Sequence, residues 1–114
     1  MGITGHISLA PITASGIKLT VEEEKREIGR AYLYILPNSL HQAPLGLMED
    51  VFVSEASRGK GIGTELVRKI IVEAKARGCY KLICTSRHNK PEVHDLYLSL
   101  GFKDHGKEFR IDFE

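Results

Sequence analysis

Only two cysteines and four prolines occur among 114 residues, and opposite charges nearly cancel at a net +1. Neither Cys79 nor Cys84 belongs to a C-x-x-C pair, and the five histidines are scattered, so no metal site is expected and the thiols read as reduced and partly buried. With acidic and basic residues interspersed, the chain lacks the basic face or aromatic motifs of a nucleic-acid binder. No apolar run approaches the length of a membrane span. The N-terminus lacks the charged and apolar regions of a signal peptide, and His6 stands where a myristoylation signal wants serine or threonine. These absences lead to the expectation of a cytoplasmic protein with neither nucleic-acid nor membrane partners. No repeat or linker interrupts residues 1–114, which read as one domain with a single core.

What is present is a run of strands followed by helices. Ile17, Leu19 and Val21 alternate with Lys18, Thr20 and Glu22, and after the charged stretch at residues 22–27 a second apolar run extends from Ile28 to Pro37. This pattern predicts a hairpin with a solvated turn. Residues 1–16 hold one irregular strand at most, and a Pro, Asn, Ser and His-containing loop separates Pro37 from Leu45. Residues 47–54 form the next strand. Ile62, Leu66, Val67, Ile70, Ile71 and Ala74 then make one stripe of a helix that Gly78 terminates. Residues 80–85 read as a short strand parallel to the previous one, joined by the helix as a crossover. A second helix begins near Asn89 and Pro91 and ends at Gly101, with Val93, Leu96, Tyr97 and Leu100 on one face. After it, Asp104-His105-Gly106 signals a turn into an alternating strand containing Phe109, Ile111 and Phe113. The expected class is α/β with a mixed sheet, in the order β-β-β-α-β-α-β-β.

Between the third strand and the first helix lies Ser57-Arg58-Gly59-Lys60-Gly61-Ile62-Gly63-Thr64. Glycines let the backbone approach a ligand, and a helix N-terminus offers unpaired N–H donors with partial positive charge, so this junction is suited to phosphate. Arg58 and Lys60 add cationic side chains. The segment lacks the Gly-Lys-Ser/Thr ending of a P-loop, and Thr64 stands where a dinucleotide fingerprint needs glycine.

Arg58, Gly61 and Gly63 instead resemble the R/Q-x-x-G-x-G/A signature of the GNAT superfamily of N-acetyltransferases. Two further segments agree: Leu96-Tyr97-Leu98-Ser99-Leu100-Gly101-Phe102 is similar to the family's L-Y-x-x-L-G-F, and Glu49-Asp50-Val51-Phe52-Val53 to its E-D-x-x-V run. The similarity covers roughly residues 17–113 and matches the GNAT fold from its second strand onward. The family usually places a strand and two helices before the hairpin, where only residues 1–16 stand here.

The resemblance implies acetyl-CoA as co-substrate and direct acetyl transfer to a primary amine, on a small molecule or a peptide. It implies that Arg58, Gly59, Lys60, Gly61, Ile62, Gly63 and Thr64 hold the pyrophosphate, the last with a hydroxyl to spare. It also implies that the strand ending at Val53 splays from its neighbour and exposes backbone groups of Phe52 and Val53 to the pantetheine arm and thioester, in the manner of an oxyanion hole. Tyr97 would protonate the departing thiolate; as a residue of the apolar helix face it also reads as a core aromatic.

Glu49 and Asp50 are expected on opposite faces of their strand. Sharing parity with Leu47, Val51 and Val53, Glu49 is the favoured general base, directly or through water, while Asp50 reads equally as a structural ion-pair partner. Asn89 caps the second helix or contacts the coenzyme. Tyr32 and Tyr34 share a strand face and are candidates for an acceptor pocket as well as for the core. Ser86, His94 and Asp95 lack the G-x-S-x-G elbow a hydrolase triad would need. The short front and the alternating tail lead to the expectation of a homodimer; a degenerate coenzyme-binding scaffold of the same fold is the alternative to an enzyme.

Overall fold

The computed structural model describes Gly2 and residues 4–114; Met1, part of the lipidation reading, lies outside the described residues. Alternation of Ile17, Leu19 and Val21 with polar neighbours produces β1 (Ser15–Glu23), and β2 (Arg26–Leu36) returns antiparallel beside it. Glu24 and Lys25 connect them with positive φ at both positions (52° and 65°). That backbone is the mirror-image hairpin turn, whose twist suits the flanking strands. The charged stretch at residues 22–27 is exposed as expected, but only Glu24 and Lys25 make the turn; Glu22 and Glu23 end β1, and Arg26 and Glu27 begin β2. Residues 6–14 carry no regular structure.

β3 (Leu45–Val53) pairs antiparallel with β2, and β4 (Lys81–Ile83) pairs parallel with β3, giving the sheet order β1-β2-β3-β4. β4 is shorter than the expected 80–85. α1 (Ile62–Ala76) bridges β3 and β4, as the periodic stripe requires, and Gly78 follows it in the left-handed conformation at φ 78°.

The core lies between α1 and one face of the sheet: Ala31, Leu33 and Met48 meet Leu66, Val67, Ile70 and Ala74. Gly29 lets the helix come this close. A Cβ there would sit 3.0 Å from Ile62 Cγ2 and 3.3 Å from Leu66 Cδ1, so these side chains would have to give by a few tenths of an ångström.

α2 (Pro91–Ser99) opens with Pro91 in its first turn, as expected, but Lys90 rather than Asn89 occupies the cap position. Asn89 lies exposed in the preceding turn and its side chain makes no cap bond. The expected last two strands are absent. Residues 102–114 form neither turn nor strand, and from Lys103 onward every residue is exposed. An alternating strand is held by a neighbouring edge and an apolar surface, and the segment carrying Phe109, Ile111 and Phe113 runs on past the free edge of β4 without pairing with it. The molecule is consequently elongated, 58 Å by 31 Å by 30 Å.

Candidate active site

The chain leaves β3 at Val53, makes a single 3-10 turn at Glu55–Ser57, and enters α1 through Arg58-Gly59-Lys60-Gly61. Gly59 and Gly61 both have left-handed backbones (φ 81° and 83°), and a Cβ at either would meet no atom within 4 Å. Glycine is needed there for its angles, because L side chains are strained in that region. Gly63 is different: it lies in the first helical turn, where a Cβ would make an ordinary 3.6 Å contact with Val53 Cγ2. Any requirement for glycine at 63 would come from a ligand.

The first intrahelical bond is donated by Glu65 N–H to Gly61 O at 3.1 Å. The preceding amides of Ile62, Gly63 and Thr64 belong to the first turn, which has no intrahelical acceptors, and carry the positive end of the helix dipole. Arg58 Nε donates to Val53 O at 3.1 Å, tying the loop to the end of β3 while its guanidinium stays at the surface. Lys60 is exposed beside it. A helix N-terminus, two left-handed glycines and the exposed Arg58 and Lys60 together make this junction a candidate anion site.

β3 parts from β4 before it reaches this loop. Their pairing covers only Leu45↔Lys81, Gly46↔Leu82 and Leu47↔Ile83, so residues 48–53 have no partner on that side. On the other side, the pairing with β2 shifts register between Arg30 and Tyr32, and Asp50 sits in the gap with φ 52°. A non-glycine residue in that region is a bulge with a local bend.

The bulge overturns the parity argument for Glu49. Before it, Met48 faces the core; after it, Val51 and Val53 pack against the core. Glu49 is therefore on the face opposite Val51 and Val53, across from Tyr32. Nor do Glu49 and Asp50 project to opposite faces. Asp50 turns to Arg30, which donates from Nε at 2.8 Å and from NH2 at 3.3 Å, and the Arg30 guanidinium lies 4.6 Å from the centre of the Phe52 ring. The hydrogen bond and charge of Arg30 hold the Asp50 carboxyl below its ordinary range. Of the two readings open for Asp50, the structural ion pair is the one present.

Tyr97 is half-buried on α2, with its ring 5.4 Å from that of Phe102. Burial first, then the neighbouring Cys84 and Glu49, pushes its pKa up to about 12. The phenol thus keeps its proton through the whole neutral range. Cys84, just past the end of β4, is pushed up to about 11 by burial and by Glu49. Glu49, Cys84 and Tyr97, from β3, the β4 end and α2, are thus electrostatically coupled. Cys84 was missed by sequence reasoning, since a lone cysteine beside a strand gives no local sign of its neighbours.

Other expected residues lie apart. His94 Nε2 is 2.8 Å from Arg87 O, and no contact joins it to Ser86 or Asp95 as a triad would require. Tyr32 and Tyr34 stack on the face opposite α1, centroids 6.1 Å apart and nearly parallel. Among the described residues, no cluster of three His, Cys, Asp or Glu side chains is placed to hold a metal, and no helix is long and apolar enough to cross a membrane.

A mixed sheet whose third strand parts from the fourth, ahead of a left-handed glycine loop on a helix N-terminus, defines an α/β protein with a candidate anion site at a strand-loop-helix junction. Residues 6–102 match the acetyltransferase (GNAT) family, and the chain belongs to that family. It is 33% identical over 128 aligned positions to glucosamine 6-phosphate N-acetyltransferase of Trypanosoma brucei brucei, covering 96% of this chain and 84% of the relative. It is 41% identical to a rice protein named probable glucosamine 6-phosphate N-acetyltransferase 2, over 60% of this chain. There the match spans only 40% of the relative's length. The crystal structure of a Trypanosoma brucei acetyltransferase superposes with a TM-score of 0.76 at 29% identity, covering 86% of this chain and 69% of that one.

Proposed function

We propose that this chain moves the acetyl group of acetyl-CoA to the primary amine of a small molecule by direct transfer in a ternary complex. The opening of β3 away from β4 immediately before the glycine loop carries the reading. It leaves a strand edge with unpaired backbone groups, residues 48–53, leading to an anion site at residues 58–64.

In this scheme the amides of the 58–64 loop hold the pyrophosphate, and backbone groups of Phe52 and Val53 polarise the thioester carbonyl. Glu49, directly or through water, takes the proton of the attacking amine; as the C–N bond forms and the C–S bond breaks, Tyr97 gives its phenolic proton to the thiolate. The pKa of Tyr97, about 12, keeps that proton available until it is needed. In the same scheme Asn89, exposed in the turn before α2, contacts the coenzyme arm. Relatives named for glucosamine 6-phosphate make an amino sugar phosphate the first acceptor to try. The proposal includes a cytoplasmic location and a homodimer.

The coenzyme half of the scheme is tested by stability. Acetyl-CoA at about 100 times its Kd is expected to stabilise the fold by about 2.7 kcal/mol, and NAD or ATP at the same concentration much less. Equal stabilisation by all three would contradict a site built for coenzyme A.

A further inference from the structure

Residues 48–53 of β3 have no strand on the β4 side, so within the sheet β2 alone holds them. That pairing is fixed on either side of the bulge by Tyr32↔Glu49 and Arg30↔Phe52. Between these two points β2 supplies one residue, Ala31, whereas β3 supplies two, Asp50 and Val51. One residue of β3 is in excess, and the strand must bend around it. Val51 packs against the core, while Asp50 takes the left-handed backbone and leaves the ladder. A slip of one residue would exchange these faces, so the bend depends on which residue is the extra one.

Arg30 meets Asp50 on the sheet face away from α1, and all three of its guanidinium nitrogens are engaged. Nε donates to Asp50 Oδ2 at 2.8 Å, Nη2 to Asp50 Oδ1 at 3.3 Å and Nη1 to Glu27 Oε2 at 3.5 Å. Lys18 Nζ donates to the other oxygen of Glu27 at 2.6 Å, so the contacts run from β1 across β2 to β3. The guanidinium also lies over Phe52, 4.6 Å from its ring centre. One planar group thus holds the chain on both sides of Val51. Arginine suits this task because a two-point bond fixes a direction, which the single ammonium of lysine does not.

Resting on the transfer reaction proposed above, we propose that Arg30 is a positioning residue: by holding the extra residue of β3 at Asp50, it sets the bend that carries the backbone of residues 51–53 away from β4. It touches neither coenzyme nor amine in that scheme and acts through the backbone of Phe52 and Val53. The ion pair is partly exposed, 29% at Arg30 and 50% at Asp50, so its removal costs the fold little. The loss is expected in geometry, where small misplacements at a reacting centre cost about 100-fold.

Amide exchange on the free protein reads the bend directly. Residues 51–53 are expected to exchange faster in Arg30→Gln and in Asp50→Asn, with the double variant no faster than either single one, because both remove the same contact. Lys18→Gln removes a cation from the same face but keeps both bonds to Asp50, and is expected to leave exchange unchanged. In turnover, Arg30→Gln should lower kcat about 100-fold while KM for acetyl-CoA and the melting temperature hold, and Arg30→Lys should recover only part of the loss. Unchanged exchange in Arg30→Gln, an equal effect of Lys18→Gln, or unchanged kcat in an active enzyme would each overturn the assignment. Exchange decides the bend even where no amine is acetylated; faster exchange with an inactive wild type would contradict the transfer reaction and leave Arg30 as the residue that sets the bend.

Discussion

Tyr97 has two uses for the same position. Its ring packs on Phe102, and its hydroxyl is coupled to Glu49 and Cys84. Tyr97→Phe separates them, since it keeps the ring and removes only the proton donor. The account expects a fold of nearly unchanged stability and a single-turnover rate lowered about 100-fold at saturating acetyl-CoA, the low end for a general acid because a thiolate leaves readily. Equal rates in the two proteins would return Tyr97 to packing alone. Its neighbour Cys84 makes a separate claim on pH. Burial raises the folded-state pKa from 9.0 to about 11. The unfolded chain therefore loses this proton first, and stability is full below about pH 9 and declines as pH rises toward 11. Urea unfolding across that window should show the decline, with a shallower slope for Cys84→Ala. An identical slope would mean that Cys84 is not desolvated in the fold.

At the scale of elements, α1 is where the chain and its ligand site meet. Its buried stripe holds it on the sheet, and its N-terminus carries the anion site, so packing and binding can be damaged separately. Ile70 is fully buried; Ile70→Ala should cost about 2–5 kcal/mol in unfolding free energy and leave coenzyme affinity little changed in the molecules that remain folded. Gly61→Val should do the reverse, since φ 83° is strained for valine and relief would turn the loop amides away from the ligand. Its stabilisation by acetyl-CoA is expected to vanish. Wild-type stabilisation in Gly61→Val would remove the loop from the binding site.

Much of this element was legible in advance. The stripe from Ile62 to Ala74 has one period and one terminator, and the phosphate loop is a contiguous run. The bulge was not. Asp50 takes a left-handed backbone because the β2 register shifts around it and Arg30, 20 residues away, receives its carboxylate. No local pattern announces that, and strict alternation consequently put Glu49 on the wrong face relative to Val51 and Val53.

At the scale of the whole molecule, the sheet ends at β4 and the chain continues beyond it into solvent. Alternation at Phe109, Ile111 and Phe113 predicts a strand that the structure does not form, because a strand exists only with a partner edge and periodicity alone cannot supply one. The same limit applies to the grouping of Glu49, Cys84 and Tyr97, which come from three elements distant in sequence. Transfer chemistry is the claim to which the loop, the bulge and this grouping all lead. It is tested most directly by incubating the full chain with acetyl-CoA and a panel of amines headed by glucosamine 6-phosphate, following free thiol and N-acetylated product together. The account predicts thiol and amide formed in equal amounts with at least one amine, and far less of both in Tyr97→Phe. Acetyl-CoA binding that stabilises the fold, with no amine acetylated, would contradict it and leave a coenzyme-binding protein without transfer.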